Sequence, residues 1–252
     1  MEPVVEYEKL LPYQFERRVE EYPLAYVPVG SLEWHGEHLA LGNDAIKMHE
    51  LCRMAARKGG VVFPPVFYSI PELTSYGSRY KHDANFVGKE SLLEAVLKEI
   101  FENLENAGFR AMMAVTGHTC LEQIYLVHRV AAEYNEASSV TAFGTCDSAF
   151  GHSLGHYSDH AAKWETSLLW YLRPELVDVY RLPKAPSAPL EGVGGEDPRV
   201  HASRELGERV AHVIAEEMAE VGRRLLEGKV PGPGELGSPH EWIVRYEGRT
   251  RG

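Results

Sequence analysis

The chain has 252 residues, with 26 basic and 37 acidic side chains, and therefore a formal net charge of −11 at pH 7. Its hydrophobic fraction of 44% and charged fraction of 25% are ordinary for a globular protein, which argues against a disordered or fibrous chain. The acidic balance disfavours nucleic acid and anionic membranes as partners, because both attract clustered Lys and Arg. We expect one domain over residues 1–252, with residues 228–252 as a C-terminal extension.

Cysteine usage and the N-terminal residues predict a cytoplasmic protein. Cys52, Cys120 and Cys146 are scattered, form no CxxC pair and are odd in number, unlike the cysteines of a disulfide scaffold. The first residues lack a basic start followed by an apolar run, and no stretch of about 18 apolar residues occurs. We therefore expect a soluble protein in a reducing compartment. Histidine stands out, because many of its 12 copies lie beside carboxylates.

The hydrophobic pattern predicts strands that alternate with helices. The apolar run from Leu24 to Gly30 predicts a buried strand, which the loop GSLEWHGEHLALGND follows. After it we predict, in chain order, helix 45–58, strand 61–70, helix 89–107, strand 110–118, helix 121–137, strand 138–145, helix 161–172, loop 182–198 and helix 203–226. This alternation predicts an α/β fold, a three-layer α/β/α sandwich with a mostly parallel, mixed sheet.

Acidic and histidine side chains gather after the predicted strands. They form three groups along the chain: Glu33, His35 and Asp44; His118; and His160 with Glu165. Ligand sites of parallel sheets lie beyond the carboxyl ends of the strands, where all three groups fall. Two histidines and three carboxylates suit Zn²⁺, Mn²⁺ or Fe²⁺ better than Ca²⁺. Five ligands exceed the number that one catalytic zinc takes, so with a bridging carboxylate they suit two ions.

The segment GSLEWHGEHLALGND resembles the signature of the creatininase (creatinine amidohydrolase) family, G-S-x-E-x-H-G-x-H-L-x-L-x-x-D. Three later segments are similar to further motifs of that family: YGSRYKHDANFVGKESL, TGHTCLE and DHAAKWETS. The likeness spans residues 27–174. It implies a creatininase-like α/β/α sandwich, an enzyme that binds two divalent ions per subunit, a small-molecule substrate, and a homo-oligomer that is often a hexamer.

The resemblance also implies roles for individual residues. The implied metal ligands are Glu33, His35, Asp44, His118 and Glu165, with Asp44 bridging two ions of Zn²⁺ or Mn²⁺, and Fe²⁺ also compatible. His160 is the implied catalytic residue, which handles the proton beside the metals. The implied reaction is hydrolysis, in which hydroxide activated by the metals attacks the carbonyl of a small polar, cyclic substrate at a cyclic amide or related C–N bond.

Departures from the family motifs argue against creatinine as the substrate. TGHTCL replaces N-G-H-G-G-N, and Cys120 stands where creatininases carry a catalytic glutamate. The family's H-A-G segment has become His160-Ala161-Ala162, and the next residue, Lys163, adds a cation. We expect Tyr76, His82, Cys120 and Lys163 to contact the substrate.

Three alternative functions stay open from the sequence. Some relatives in the family open the ring of an oxidised inositol such as 3-dehydro-scyllo-inosose, so this chain could be a C–C hydrolase. A thiol amidohydrolase could use Cys120, which follows a Gly-His turn near a predicted helix start, although an isolated cysteine is more often a small buried hydrophobe. The altered TGHTCL segment would also suit a non-catalytic metal-binding homologue.

Overall fold

Four parallel strands form the centre of the molecule. The computed structural model describes residues 3–70, 89–185, 187–232 and 234–237. Its strands are β1 Leu24–Val29, β2 Val61–Val62, β3 Ala111–Thr116 and β4 Thr141–Cys146. They lie in the order β2-β1-β3-β4, and each neighbouring pair is parallel. Leu24 pairs with Ala111 and Val29 with Thr116, so β1 and β3 end level with each other at the carboxyl edge.

Both faces of the sheet are covered, and this explains why its strands are continuous apolar runs. All residues of β1 and β3 are buried. Successive side chains point to opposite faces, so Leu24 and Tyr26 belong to one apolar cluster, and Ala25 and Val27 to the other. A strand packed on both faces has no polar face to alternate with, as in other parallel sheets.

Helices form the two outer layers. The described helices are α1 Pro12–Glu21, α2 Asn43–Ala56, α3 Glu90–Asn106, α4 Leu121–Ala137, α5 Lys163–Leu172, α6 Pro198–His201 and α7 Arg204–Leu226. Residues of α2, α5 and α7 pack on the face of Leu24 and Tyr26. Residues of α3 and α4 pack on the opposite face. The predicted α/β/α sandwich with a mostly parallel sheet is therefore confirmed. Within the described ranges, no helix is long and apolar enough to cross a membrane.

Helix α1 and strand β2 differ most from the prediction, and the short helix α6 was not predicted either. Helix α1 was not predicted, because none of its residues is fully buried and its apolar Phe15 and Val19 only border the core. The strand predicted over 61–70 ends at Val62, because Pro64 and Pro65 follow and a proline has no N–H for the sheet ladder. Val66 returns to the sheet only as an isolated bridge to Val29.

The first residues of the predicted C-terminal extension pack back onto the chain. The Gly237 N–H donates to the Ala149 carbonyl at 2.9 Å, and Arg224 of α7 pairs with Glu235. Residues 238–252 lie outside the described ranges.

Candidate metal centre

The structure brings six predicted site residues together at the carboxyl edge of the sheet. Glu33 and His35 follow β1, Asp44 lies in the first turn of α2, His118 follows β3, His160 precedes α5, and Glu165 lies in the first turn of α5. Five of them are at most 6% exposed, and the side chain of His160 is 14% exposed. The acidic and histidine groups separated along the sequence therefore form one buried cluster.

Two glycines allow the strand ends to approach helix α2 closely. A Cβ at Gly30 would lie 2.2 Å from the backbone nitrogen of Ala45, and a Cβ at Gly117 would lie 2.4 Å from the Asp44 carbonyl oxygen. No other residue type fits either position without displacing the backbone. The close approach at Gly117 brings the next residue, His118, beside Asp44.

Backbone carbonyls fix the orientation of the three histidines. The pairs are His35 Nδ1 with the Glu33 carbonyl (3.1 Å), His118 Nε2 with the Ile70 carbonyl (3.1 Å) and His160 Nε2 with the Trp34 carbonyl (2.9 Å). A carbonyl can only accept, so in a neutral ring the nitrogen facing it carries the proton. The other nitrogen of each ring then presents a lone pair to the cluster, as in histidines that bind metals.

The inward nitrogens lie among the carboxylates. His35 Nε2 is 3.0 Å from Asp44 Oδ1 and 3.3 Å from Glu165 Oε2. His118 Nδ1 is 3.2 Å from Asp44 Oδ2 and 3.0 Å from Glu33 Oε1. Each oxygen of Asp44 thus faces a different histidine, the arrangement that a bridging carboxylate requires.

The cluster contains three groups of atoms that could each hold a cation. They are Glu33–Asp44–His118, His35–Asp44–Glu165 and Glu33–His35–His160, and in each group the candidate ligand atoms lie within 4.8 Å of one another. Glu33, His35 and Asp44 each belong to two of these groups.

Two buried atoms of the cluster test whether a metal fits. Glu33 Oε2 and His35 Nε2 are buried and make no hydrogen bond in the described part of the chain, although carboxylate oxygens surround His35 Nε2. Buried polar atoms normally have a partner, and in a neutral His35 ring the lone pair directed at carboxylate oxygens would be repelled, so that the ring takes up either a proton or a metal ion. A cation between them would satisfy both atoms, so the residues fit a divalent metal.

The electrostatics of the cluster also favour cations. Burial lowers the pKa of His35, but Asp44 and Glu165 outweigh it and hold that pKa well above its ordinary value. At His118 burial has the same effect, and Glu33 and other neighbours outweigh it. The negative potential that holds a proton on these rings is the potential that a divalent ion would experience.

A buried lysine that the sequence reasoning missed lies against the cluster. Lys47 of α2 is 1% exposed, and its Nζ lies 2.8 Å from Asp147 Oδ2 and 2.9 Å from Glu165 Oε1. Burial lowers the pKa of Lys47, but Asp147 and Glu165 outweigh it and keep the ammonium charged. Burial raises the pKa of Glu165, and Lys47 with His35 outweighs it and brings that pKa to about 2.

Other donors hold the carboxylates in place, and they too were not predicted. Ser31 Oγ donates to Asp44 Oδ2, and Asn43 Nδ2 donates to Asp44 Oδ1 at 3.0 Å. Asp159 accepts the backbone N–H of Glu165 at 3.1 Å and so fixes the start of α5. Their position in the sequence could have identified these donors and acceptors, since Ser31, Asn43 and Asp159 each lie within two residues of a predicted site residue.

Of the four predicted substrate-contact residues, the structure describes two, Cys120 and Lys163, and neither belongs to the candidate metal-binding groups. Tyr76 and His82 lie outside the described residues. Cys120 is 2% exposed, and its Sγ lies 3.8 Å from the Ile70 carbonyl, where it packs like a small buried hydrophobe. Lys163 pairs with Glu196 at 2.7 Å, and its Nζ lies 4.4 Å from the centre of the Trp164 ring. Substrate contact by these four residues stays a prediction.

Comparison with known proteins gives sequence and structural relatives. A family model described as "Creatininase: Creatinine amidohydrolase" matches residues 8–222. The chain is 27% identical over 234 residues to a creatinine amidohydrolase of Pseudomonas putida, covering 78% of this chain and 87% of that protein. It is 29% identical over 184 residues to a mycofactocin precursor peptide peptidase of Mycobacterium ulcerans (strain Agy99), covering 67% of this chain and 66% of that one.

Solved structures share the fold. A structure titled "Creatininase Mn" superposes with a TM-score of 0.71 at 22% identity, over 88% of this chain and 98% of the other. A mutant creatininase described as Zn-Zn type superposes with a TM-score of 0.67 at 21% identity, with the same coverage.

Proposed function

The chain belongs to the creatininase family and is a hydrolase, and from that premise we propose that it uses two divalent ions to hydrolyse a C–N bond next to a carbonyl in a small polar, cyclic substrate. The observation that carries this proposal is the set of three histidines whose outer nitrogens are tied to backbone carbonyls and whose inner nitrogens converge on buried carboxylates. Such a set fits metal ions and has no role in an apolar core.

We propose that one ion is held by Glu33, Asp44 and His118, and the other by His35, Asp44 and Glu165. The orientation of Asp44 supports its role as a ligand common to both ions, because its two oxygens face different histidines. When bound, divalent ions would lower the pKa of water and polarise the substrate carbonyl. The names of the structural relatives, which refer to Mn and to a Zn-Zn type, favour Mn²⁺ and Zn²⁺ as the first ions to test.

His160 is the proposed carrier of the proton. Its Nε2 donates to the Trp34 carbonyl, so its Nδ1 is the atom that can accept a proton and pass it to the leaving group. That atom lies 3.6 Å from Glu33 Oε1, and the ring centre lies 4.4 Å from that of His35. His160 thus stands beside the proposed ligands with one nitrogen directed toward them.

The substrate class is supported by the relatives and stays open in detail. The name of one relative refers to an amidohydrolase of creatinine, and the name of the other refers to a precursor peptide. A peptide amide is therefore a second candidate substrate, and ring opening of an oxidised inositol stays a prediction.

Removal and return of metal tests the proposal. We expect the chelator-treated chain to lose hydrolysis of its best substrate in a panel of cyclic amides, short peptides and cyclic ketones, and to regain it with Zn²⁺ or Mn²⁺. His118→Ala should lower the bound metal below two ions per chain, whereas His152→Ala, which changes an exposed histidine, should not. Full turnover by a rigorously metal-free preparation would contradict the proposal.

Assembly is a separate expectation. We propose a homo-oligomer, with a hexamer as the form that the family resemblance implies. Light scattering coupled to gel filtration measures the mass directly, and a monomer at micromolar concentration would contradict it.

A further inference from the structure

A groove with a basic lining lies at the amino edge of the sheet. It has a volume of about 660 Å³ and lies between the N-terminal residues, helix α1 and the turn 57–60, which joins α2 to β2. Tyr22 in its wall stands just before β1, and Gly60 stands just before β2, so both strands run from the groove toward the candidate metal centre. The six residues of β1 place about 20 Å between the two sites. Small-molecule sites usually measure about 300–1,000 Å³, so the groove is large enough for a metabolite.

The lining is positively charged, although the chain as a whole is acidic. Among the described residues that line the groove, the charged ones are Arg17, Arg18, Arg57, Lys58 and Glu21, a net charge of +3 in a chain of −11. Lys58 pairs with Glu216, which stands outside the lining and offsets one charge. The carboxyl ends of α1 and α2 together offset about one more, because each acts as roughly half a negative charge. A positive excess therefore remains in the groove.

Arg18 has no acidic partner in the described part of the chain that balances its charge. Its Nη1 donates to the Gly60 carbonyl at 2.9 Å, and among the described residues no carboxylate is in salt-bridge contact with it. Burial lowers the pKa of Arg18, and the charges of Glu21 and Glu6 oppose this shift only in part. A guanidinium has five N–H donors in a planar fork, so an anion in the groove can accept the donors that the Gly60 carbonyl leaves over.

Arg17 and two tyrosines complete the wall beside Arg18. Arg17 is 76% exposed and pairs with Glu21 one helical turn later, a contact that a ligand can displace because exposed ion pairs contribute little. The Tyr22 ring lies over the backbone of Gly59, where a Cβ would come within 2.7 Å of three ring atoms, and Tyr13 is exposed. Aromatic faces beside basic groups suit a ligand that carries a flat ring or a sugar as well as negative charge.

We propose that this groove binds a small molecule that carries a phosphate monoester, with Arg17 and Arg18 as its main contacts. A phosphate monoester has a charge of about −1.5 to −2 at pH 7 and three acceptor oxygens, and the fork of an arginine matches two of these oxygens at once. A nucleoside monophosphate and a sugar phosphate share this chemistry. The site lies at the opposite end of the sheet from the candidate metal centre, so the proposal does not depend on the proposed function.

Calorimetric titration of the full-length chain with AMP, glucose 6-phosphate and succinate tests the proposal. We expect saturable binding of one phosphate ester per chain, which weakens as NaCl is raised because salt screens exposed charges. Succinate, a dianion without phosphate, should bind at least about tenfold more weakly. Tighter binding of AMP than of glucose 6-phosphate would identify a nucleotide as the ligand class, and the reverse order would identify a sugar phosphate.

Variants of the lining locate the bound ester. Arg18→Gln should weaken binding about tenfold or more, the effect of losing a hydrogen bond between charged groups. Glu21→Gln should tighten it about threefold, because it removes the acid from the lining and releases Arg17. The matched control is Arg173→Gln, which removes an exposed arginine that also pairs with a nearby glutamate but does not line the groove, and it should leave binding unchanged.

A second variant covers the case in which Arg18→Gln does not fold. Arg17→Gln changes an exposed side chain that should not be needed for folding, and it should weaken binding about threefold. Absence of saturable binding by either ester, binding of succinate as tight as that of the esters, or affinities that the folded arginine variants leave within twofold of the wild type would each overturn the proposal. Weaker binding by Glu21→Gln would overturn it as well. Binding that His118→Ala abolishes and Arg18→Gln preserves would place the ester at the metal centre and also contradict it.

Discussion

Gly117→Ala should damage the proposed metal centre without changing any of its ligands. The added Cβ would lie 2.4 Å from the Asp44 carbonyl oxygen and 3.1 Å from the Asp44 carbonyl carbon. Ordinary contacts of a Cβ begin at 3.4 Å, so the turn after β3 and the first turn of α2 must separate by about 1 Å. Both atoms belong to the backbone, and no flexible side chain can yield instead.

The size of the effect follows from this displacement. Forcing an extra methyl group into a packed site costs about 1–3 kcal/mol, and a change of that size lowers the melting temperature of a chain of this length by roughly 2–12 °C. The separation also moves His118 away from Asp44. A misplacement of about 1 Å can reduce turnover about 100-fold.

Three measurements and one control variant decide the outcome. Thermal unfolding and Zn²⁺ titration should both change in Gly117→Ala, and turnover should fall with them. Gly232→Ala is the matched control, because among the described residues its Cβ would meet only the Glu235 side-chain oxygen, at 3.3 Å. If Gly117→Ala kept the wild-type melting temperature and bound Zn²⁺ within a factor of two of the wild type, the close approach would not determine the spacing of the ligands.

Three further predictions concern other parts of the chain. Ala161 has a φ of 50°, a left-handed conformation that costs a side chain about 1–2 kcal/mol, and the larger entropy loss of glycine on folding offsets about 0.5–1 kcal/mol of the gain. Ala161→Gly should therefore raise the melting temperature by about 1–4 °C, whereas Ala162→Gly, with φ at −102°, should lower it. Arg129, with Lys98, lowers the pKa of Glu94 to about 2, so this partly exposed ion pair between α3 and α4 contributes about 1 kcal/mol above pH 4.5 and loses it as the pH falls toward 2. The difference in unfolding free energy between wild type and Glu94→Gln in urea should therefore shrink over that range, and a constant difference would argue against the pair. Cys120→Ala should retain turnover within about tenfold if metal ions activate the nucleophile, and complete loss would favour the thiol mechanism.

The fold could be predicted because its signals are local. The apolar runs at β1 and β3 and the amphipathic pattern of α7 each arise within one segment, and strands alternating with helices restrict the topology to a parallel sheet. Helix α1 was not predicted although its sequence is amphipathic, since it is short and mostly polar and none of its residues is buried.

The proximity of the candidate site residues could be predicted from the parallel sheet, whereas the buried ion pairs of Lys47 could not. Parallel strands that end level bring Glu33, Asp44 and His118 to one edge whatever the intervening loops contain. The acidic partners of Lys47 lie 100 and 118 residues further along the chain, so no spacing rule relates them to the lysine. A lysine within a helix is usually exposed to solvent, so the sequence alone places Lys47 at the surface. Only the packing of the folded chain shows that this lysine is buried.

The backbone anchoring of His35, His118 and His160 has a consequence for how such a site can be redesigned. A tautomer selected by a side-chain partner is lost when that partner is replaced, but a carbonyl of the main chain is present whatever residue carries it. Substitutions at Trp34 and Ile70 that preserve the local path of the chain should leave the inward nitrogens unchanged. Positions around the centre can therefore be varied for new substrates while the three imidazole rings keep their orientation and tautomer.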